Sequence, residues 1–188
     1  SYRNRSWATP SGAGGETAIA DRIGEIGDAM NRHIERELAR VRIKGKRGYA
    51  ETAETSIAPL VTSLVAIQQR TGPGERLSFQ VDLPPGARIR MDKADLAEVL
   101  GNLLENASRH AKTTVRITLT PDGRIAIDDD GPGIPSHLRD AVLKRGQQLD
   151  EPAHGTGLGL AIVQDVLDAY DRQLALETSH LGGLRAVA

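Results

Sequence analysis

Three short runs hold the residue types best suited to chemistry, and they occur in a fixed order. The first is Gly101-Asn102-Leu103-Leu104-Glu105-Asn106-Ala107, inside a stretch with helical periodicity. Residues three and four apart share a helical face, so Asn102, Asn106 and Arg109 line one side, with Glu105 and His110 at its margins. Leu96, Val99, Leu100, Leu103 and Ala107 supply the side to be buried. A carboxamide carbonyl is a hard oxygen that suits Mg²⁺, and a guanidinium suits phosphate oxygens. A plain solvated helix face is the alternative reading of this run alone.

The second run, Asp128-Asp129-Asp130-Gly131-Pro132-Gly133-Ile134, follows a strand pattern in which Ile125 and Ile127 point one way. Three adjacent carboxylates repel, so stability alone gives no reason to expect them there. One carboxylate on a pocket floor can accept a hydrogen bond from an exocyclic amine such as that of adenine. The glycines let backbone pass close to a flat ligand. An acidic turn is the alternative; a calcium loop is disfavoured because the EF-hand spacing is absent. The third run, Gly155-Thr156-Gly157-Leu158-Gly159-Leu160, leads at once into an apolar helix. Bare backbone N–H groups and the positive end of a helix dipole together favour an anion, although a glycine hinge without a ligand fits the same residues. A dinucleotide fingerprint is excluded by context, because polar Glu151-Pro152-Ala153-His154 precedes the glycines where a strand is required. No Gly-Lys-Ser/Thr follows, so the run is not a Walker loop. A metal ligand, a base-reading carboxylate and a phosphate cradle together read as an ATP site.

Composition narrows the setting. The 188 residues are enough for one well-buried domain and an additional element. There is no cysteine, which rules out disulfides and thiolate metal sites and suits a reducing cytosol. No run approaches the roughly 18 apolar residues of a membrane span, and no secretory signal pattern is present. The expectation is a cytoplasmic chain whose parent could be anchored in the inner membrane. A net charge of −1 argues against a nucleic-acid binder. The charge is unevenly spread, with ten Lys/Arg against six Asp/Glu in residues 1–48. A basic segment leading into a mildly acidic domain fits a linker or a partner surface, or simply a solvated face.

The elements that must position these runs can be read from periodicity. Residues 1–18, mixing Ser, Gly, Thr and Pro, are expected to be a flexible lead-in. Ile23, Ile26, Met30, Ile34, Leu38 and Val41 form one apolar stripe, predicting an amphipathic helix over 19–44 that needs a partner helix. Gly45-Lys46-Arg47-Gly48 ends it. A second helix is expected over 55–69 with Pro59 in its first turn, then a strand over 77–83. Asp92 should cap a helix reaching His110. Strands over 115–119 and 124–128 flank Thr120-Pro121-Asp122-Gly123, a hairpin loop. Residues 131–157 read as a long loop holding a short helix over 136–144. A helix over 158–170 and strands over 173–178 and 184–187 complete the chain. The order predicts an α/β two-layer sandwich.

The ordered triplet resembles the N, G1 and G2 boxes of the sensor histidine kinase catalytic domain, within the ATPase/kinase (GHKL) superfamily that includes Hsp90, gyrase B and MutL. The likeness spans residues 50–188 or so, and the stretch from Arg145-Gly146-Gln147-Gln148 to Gly159 looks most like the PhoQ branch. It implies helices packed on one face of a mixed five-stranded sheet, the Bergerat type. It implies that Asn106 holds Mg²⁺, that Asn102 and Arg109 assist at the phosphates, and that His110 stacks on adenine. Asp129 would read the adenine amine beside Gly131, Gly133 and Ile134. Residues 134–157 would form a mobile lid with Arg145 reaching the γ-phosphate, while Gly155, Thr156, Gly157, Leu158, Gly159 and Leu160 line the triphosphate.

Two departures accompany the likeness. The lid segment Ala141-Val142-Leu143-Lys144-Arg145 has no phenylalanine, where the family usually has a phenylalanine-rich box. No His-Glu/Asp-Leu-Arg/Lys-Thr/Asn-Pro run is present; His33, His137, His154 and His180 lack that context, and residues 19–44 resemble the second helix of a dimerisation hairpin. The expected organisation is therefore a lead-in over 1–18, a partial dimerisation segment over 19–48 and a catalytic domain over 49–188. The expected activity is transfer of the ATP γ-phosphoryl group to a histidine on an acceptor helix absent from this chain, and then to a response regulator. The isolated chain should not autophosphorylate, and residues 19–44 should support a homodimer. A non-catalytic ATP-gated binding module and an anti-sigma-type serine kinase are the rival readings.

Overall fold

The structure, a computed structural model, describes residues 53–145 and 159–188, with the side chains of Lys144 and Arg145 outside that description. The expected lead-in, the helix over 19–44, and Gly155, Thr156, Gly157 and Leu158 lie outside the described residues. The chain first forms strand β1 (Glu54–Ser56) and helix α1 (Ile57–Gln68). After a 3₁₀ turn at Gly74–Arg76 come β2 (Ser78–Asp82), β3 (Arg88–Arg90) and α2 (Lys93–His110). The hairpin β4 (Thr114–Leu119) and β5 (Ile125–Asp129) precedes α3 (Ser136–Arg145), α4 (Gly159–Asp168), β6 (Ala175–Thr178) and β7 (Leu184–Val187).

Five strands form a mixed sheet in the order β2-β4-β5-β7-β6, with only the β2–β4 pair parallel. β1 and β3 make a separate antiparallel ribbon that the sequence pattern did not reveal, since three residues each are too few for an alternation to show. Thr55 Oγ1 ties this ribbon down by donating to the Met91 carbonyl at 2.8 Å. In the sheet, register sorts the faces. Val115, Ile117, Ile125 and Ile127 meet across β4 and β5 and join the core beneath the helices, while Arg116 and Asp128 face each other on the opposite side.

Helix α2 lies between α1 and α4 and rests on β5, burying Leu96, Val99, Leu100, Leu103, Leu104 and Ala107. Asp92 caps it as expected, its side chain accepting from Ala94 N at 2.9 Å. The Tyr170 hydroxyl donates to Asp95 Oδ2 at 2.5 Å and accepts from Asp92 N at 3.2 Å, fastening the end of α4 to the start of α2. At the other end, a Cβ placed on Gly159 would lie 3.2 Å from Asn102 Oδ1. The two helices therefore run antiparallel. α4 closes in a Schellman turn, with Arg172 N donating to Leu167 O and Asp171 N to Asp168 O. Asp171 occupies its left-handed position at φ 53°. Among the described residues no helix is long and apolar enough to cross a membrane.

Candidate functional site

The three consecutive acids at the end of β5 meet three different environments. Alternation sends Asp128 to the open face of the sheet, where its Oδ2 accepts from Arg185 Nη1 at 2.8 Å and its Oδ1 lies 3.5 Å from His180 Nδ1. Asp130 turns back over the α2–β4 connection. Its carboxylate accepts from Lys112 N (2.8 Å), Thr113 N (3.0 Å) and Thr113 Oγ1 (2.6 Å). Desolvation works against its ionised form, but these bonds, with one from the Thr114 amide, outweigh it and hold the carboxyl down to about 2. The expectation that three adjacent carboxylates serve no structural end is thus corrected for two of them.

Asp129 is different. It is only 3% exposed, on the core side of the sheet. Its Oδ1 accepts from Gly131 N at 2.8 Å and from Leu184 N at 3.1 Å. Among the described residues no group bonds to Oδ2. Burial pushes this carboxyl above the usual range; the Gly131 and Leu184 amides and the nearby His110 charge oppose that rise, and Asp130 adds to it. A buried carboxylate with one oxygen anchored and the other unspent is an acceptor waiting for a donor.

The glycine loop is packed against both α2 and the β6–β7 turn. A Cβ on Gly131 would stand 2.5 Å from the His110 carbonyl oxygen, so only glycine lets the loop approach the end of α2. Gly133 has φ +67°, and its Cβ position is 3.1 Å from the Gly183 carbonyl oxygen. Ile134 is half-buried, and its carbonyl accepts from Arg139 Nε at 2.9 Å. Arg139 also donates to Thr178 Oγ1 at 2.7 Å, so this α3 residue ties the loop to β6.

Along α2, Asn102 and Asn106 are half-buried on the side away from the core. Asn102 Nδ2 donates to the Glu98 carbonyl at 2.8 Å, which leaves its Oδ1 turned towards Gly159. Among the described residues no group pairs with the Asn106 carboxamide. Arg109 is exposed and paired with Glu105 at 2.6 Å, and His110 is exposed at the helix end. Leu160 contributes its side chain to the core, so whatever it offers a ligand comes from its backbone. Arg145 ends α3, and its side chain lies outside the described residues.

These placements join the first run to both others. His110 meets the Asp129 loop, Asn102 meets Gly159, and the eight residue steps from one to the other span about 12 Å of helix, with Asn106 midway. One end offers a buried acceptor and a flat glycine loop; the other offers a carboxamide oxygen and a glycine at a helix start. Among the described residues no three His, Cys, Asp or Glu are grouped to hold a metal ion. A divalent cation here would rely on amide oxygen, water and the ligand's own oxygens, the mode that suits Mg²⁺. The periodicity reading overlooked Gly182, Gly183, the Leu184 amide and Arg139. Only the Gly182-Gly183 pair left a signal, immediately ahead of the last strand.

Comparison with known proteins places the chain among relatives of one family. The profile of the "Histidine kinase-, DNA gyrase B-, and HSP90-like ATPase" family matches residues 91–188. The sensor protein kinase CarS of Pseudomonas aeruginosa is 41% identical over 164 residues, covering 84% of this chain and 36% of CarS. The two-component sensor PhoQ of the same organism is 35% identical over 159 residues, covering 83% of this chain and 35% of PhoQ. The chain thus spans little more than a third of these relatives. Among solved structures, the ATP-binding domain of PrrB from Mycobacterium tuberculosis superposes with a TM-score of 0.58 at 27% identity, covering 73% of this chain and 94% of that one.

Proposed function

Because the chain belongs to the histidine kinase-, DNA gyrase B- and HSP90-like ATPase family, as do sensor histidine kinases, we propose that its three motifs bind Mg²⁺–ATP for phosphoryl transfer to a histidine. The observation that carries this reading is Asp129, a buried carboxylate with Oδ1 held by two amides and Oδ2 unspent. The adenine amine is its natural donor. His110 lies beside the base, and Gly131, Gly133 and Ile134 form the floor under it. Asn102 and the start of α4 at Gly159 and Leu160 take the phosphates with Gly155, Thr156, Gly157 and Leu158. Asn106, whose carboxamide no described residue engages, fits a Mg²⁺ ligand, and the ion would neutralise phosphate charge there. Arg109 reaches the phosphates by leaving an exposed i,i+4 pair with Glu105, a pair worth only about 0.5 kcal/mol. Arg145 would complete the set at the γ-phosphate.

The protein's contribution to such a transfer is positioning and electrostatic compensation, and no general base is required of this chain. The histidine acceptor sits on a dimerisation helix outside this chain, and a response regulator takes the phosphoryl group next. Residues 19–44 pair with a second copy, and the catalytic region, residues 49–188, works on the cytoplasmic side. The test is incubation with γ-labelled ATP, alone and with a separate fragment carrying a His-containing dimerisation hairpin from a sensor kinase. Label should accumulate on the added histidine and not on this chain. Label on the chain itself would contradict an acceptor outside it, and a fragment that stays unlabelled while ATP binds would contradict histidine transfer.

A further inference from the structure

The β6–β7 turn packs directly on Asp129 and donates two backbone amides to it. Ser179 N donates to the Gly183 carbonyl at 2.9 Å and Gly182 N to the Ser179 carbonyl at 3.0 Å, closing the turn. Gly182 adopts φ +102°, a conformation that L side chains rarely take. Gly183 N then donates to the Asp129 carbonyl at 3.2 Å, and Leu184 N to Asp129 Oδ1 at 3.1 Å. A Cβ on Gly183 would fall 2.2 Å from Asp129 Oδ1, 2.5 Å from Gly131 N and 2.6 Å from the Asp129 carbonyl oxygen. Two of those three atoms are backbone, so rotating the carboxylate could not relieve the clash. The absence of a side chain at Gly183 is what lets the turn seat itself on Asp129.

We propose that Gly183 is a specificity-determining positioning residue. By admitting the Leu184 amide to Oδ1, it fixes the Asp129 carboxylate so that Oδ2 alone faces the base and accepts only from a donor at the purine 6-position. This rests on the reading of Asp129 as the adenine acceptor. A carboxylate freed from the turn could rotate, share both oxygens with water and lose its preference for a 6-amino over a 6-oxo purine. The turn would then set selectivity without touching the nucleotide.

The experiment compares Mg²⁺–ATP with Mg²⁺–GTP binding to the unmodified chain and to Gly183→Ala by calorimetry, with circular dichroism to confirm folding. The unmodified chain should favour ATP by at least tenfold, as expected for one charge-assisted hydrogen bond. Gly183→Ala should lose about tenfold for ATP with GTP unchanged, closing the gap. A parallel loss for both nucleotides, or an undiminished gap, would overturn the proposal while leaving Asp129 as the reader. An unmodified chain that binds both equally would overturn the Asp129 reading as well. Should Gly183→Ala not fold, amide NMR of the unmodified chain decides. The Gly131 and Leu184 amide shifts should follow pH with one common midpoint, which Mg²⁺–ATP displaces. Independent or flat titrations would overturn the proposal.

Discussion

At the scale of single residues, neighbouring acids oppose one another in their linkage to pH. Asp130 has its carboxyl held down to about 2, so the stability it supplies is complete above the usual carboxylate range and is lost as pH falls from about 4 towards 2. Asp129 is raised, so its ionisation costs stability as pH climbs through its folded value. Asp129→Asn keeps an Oδ1 acceptor for both amides while removing that buried charge. Urea unfolding at pH 7 should find Asp129→Asn at least as stable as the parent, with the advantage gone at pH 4. A loss of stability at pH 7 would contradict the burial argument. The same variant presents –NH₂ where Oδ2 stood, so it should lose ATP and gain GTP, whose 6-oxo group accepts. Beside them, Asp128 is fully buried against Arg185. Arg185→Met should therefore cost roughly 2–3 kcal/mol in the same assay by leaving that charge with His180 alone. A change below about 0.5 kcal/mol would show that solvent reaches Asp128.

Among the elements, legibility followed length. α2, with eighteen residues, a capping Asp92 and a full apolar face, was visible in the sequence almost to the residue, and Leu184–Val187 coincided with the expected strand. α1 began two residues late, at Ile57, because Thr55 and Ser56 pair with β3 in a ribbon made by contacts thirty residues apart in sequence and more. α4 stopped at Asp168, short of Tyr170, because its Schellman turn places Asp171 in left-handed backbone. Asp171→Gly should raise stability by about 0.5–1 kcal/mol in urea, and a loss would mean the Asp171 side chain contributes more than its backbone costs. Tyr170 makes a complementary case. Its hydroxyl joins α4 to the far end of α2, so Tyr170→Phe should cost about 1–2 kcal/mol and leave ATP affinity within twofold. A large affinity loss would mean that α2 transmits strain from Asp92 to Asn102.

For the whole molecule, the motifs could be read singly but their junctions could not. Asn102, Asn106, Asp129 and the glycines were identifiable because their chemistry is unusual for the elements that carry them. Nothing in the residue order says that Gly159 returns to Asn102, that Gly131 abuts His110, or that the Gly182-Gly183 turn seals Asp129. Those contacts arise from the antiparallel docking of α4 on α2 and from β7 lying beside β5. On the proposed reading, the separation of about 12 Å along α2 would put base and phosphates at opposite ends of that stretch of helix. Residues 19–44, which carry the proposed pairing surface, lie outside the described residues, and light scattering tests that pairing. A concentration-dependent dimer is expected, and a strict monomer at high concentration would contradict it.

Titration calorimetry of ATP into this chain, with and without Mg²⁺ and beside Asp129→Asn, tests the central claim most directly. One magnesium-dependent site per chain is predicted, weakened about thirtyfold, or roughly 2 kcal/mol, in Asp129→Asn. Equal binding by both proteins, or none by either, would contradict the nucleotide site.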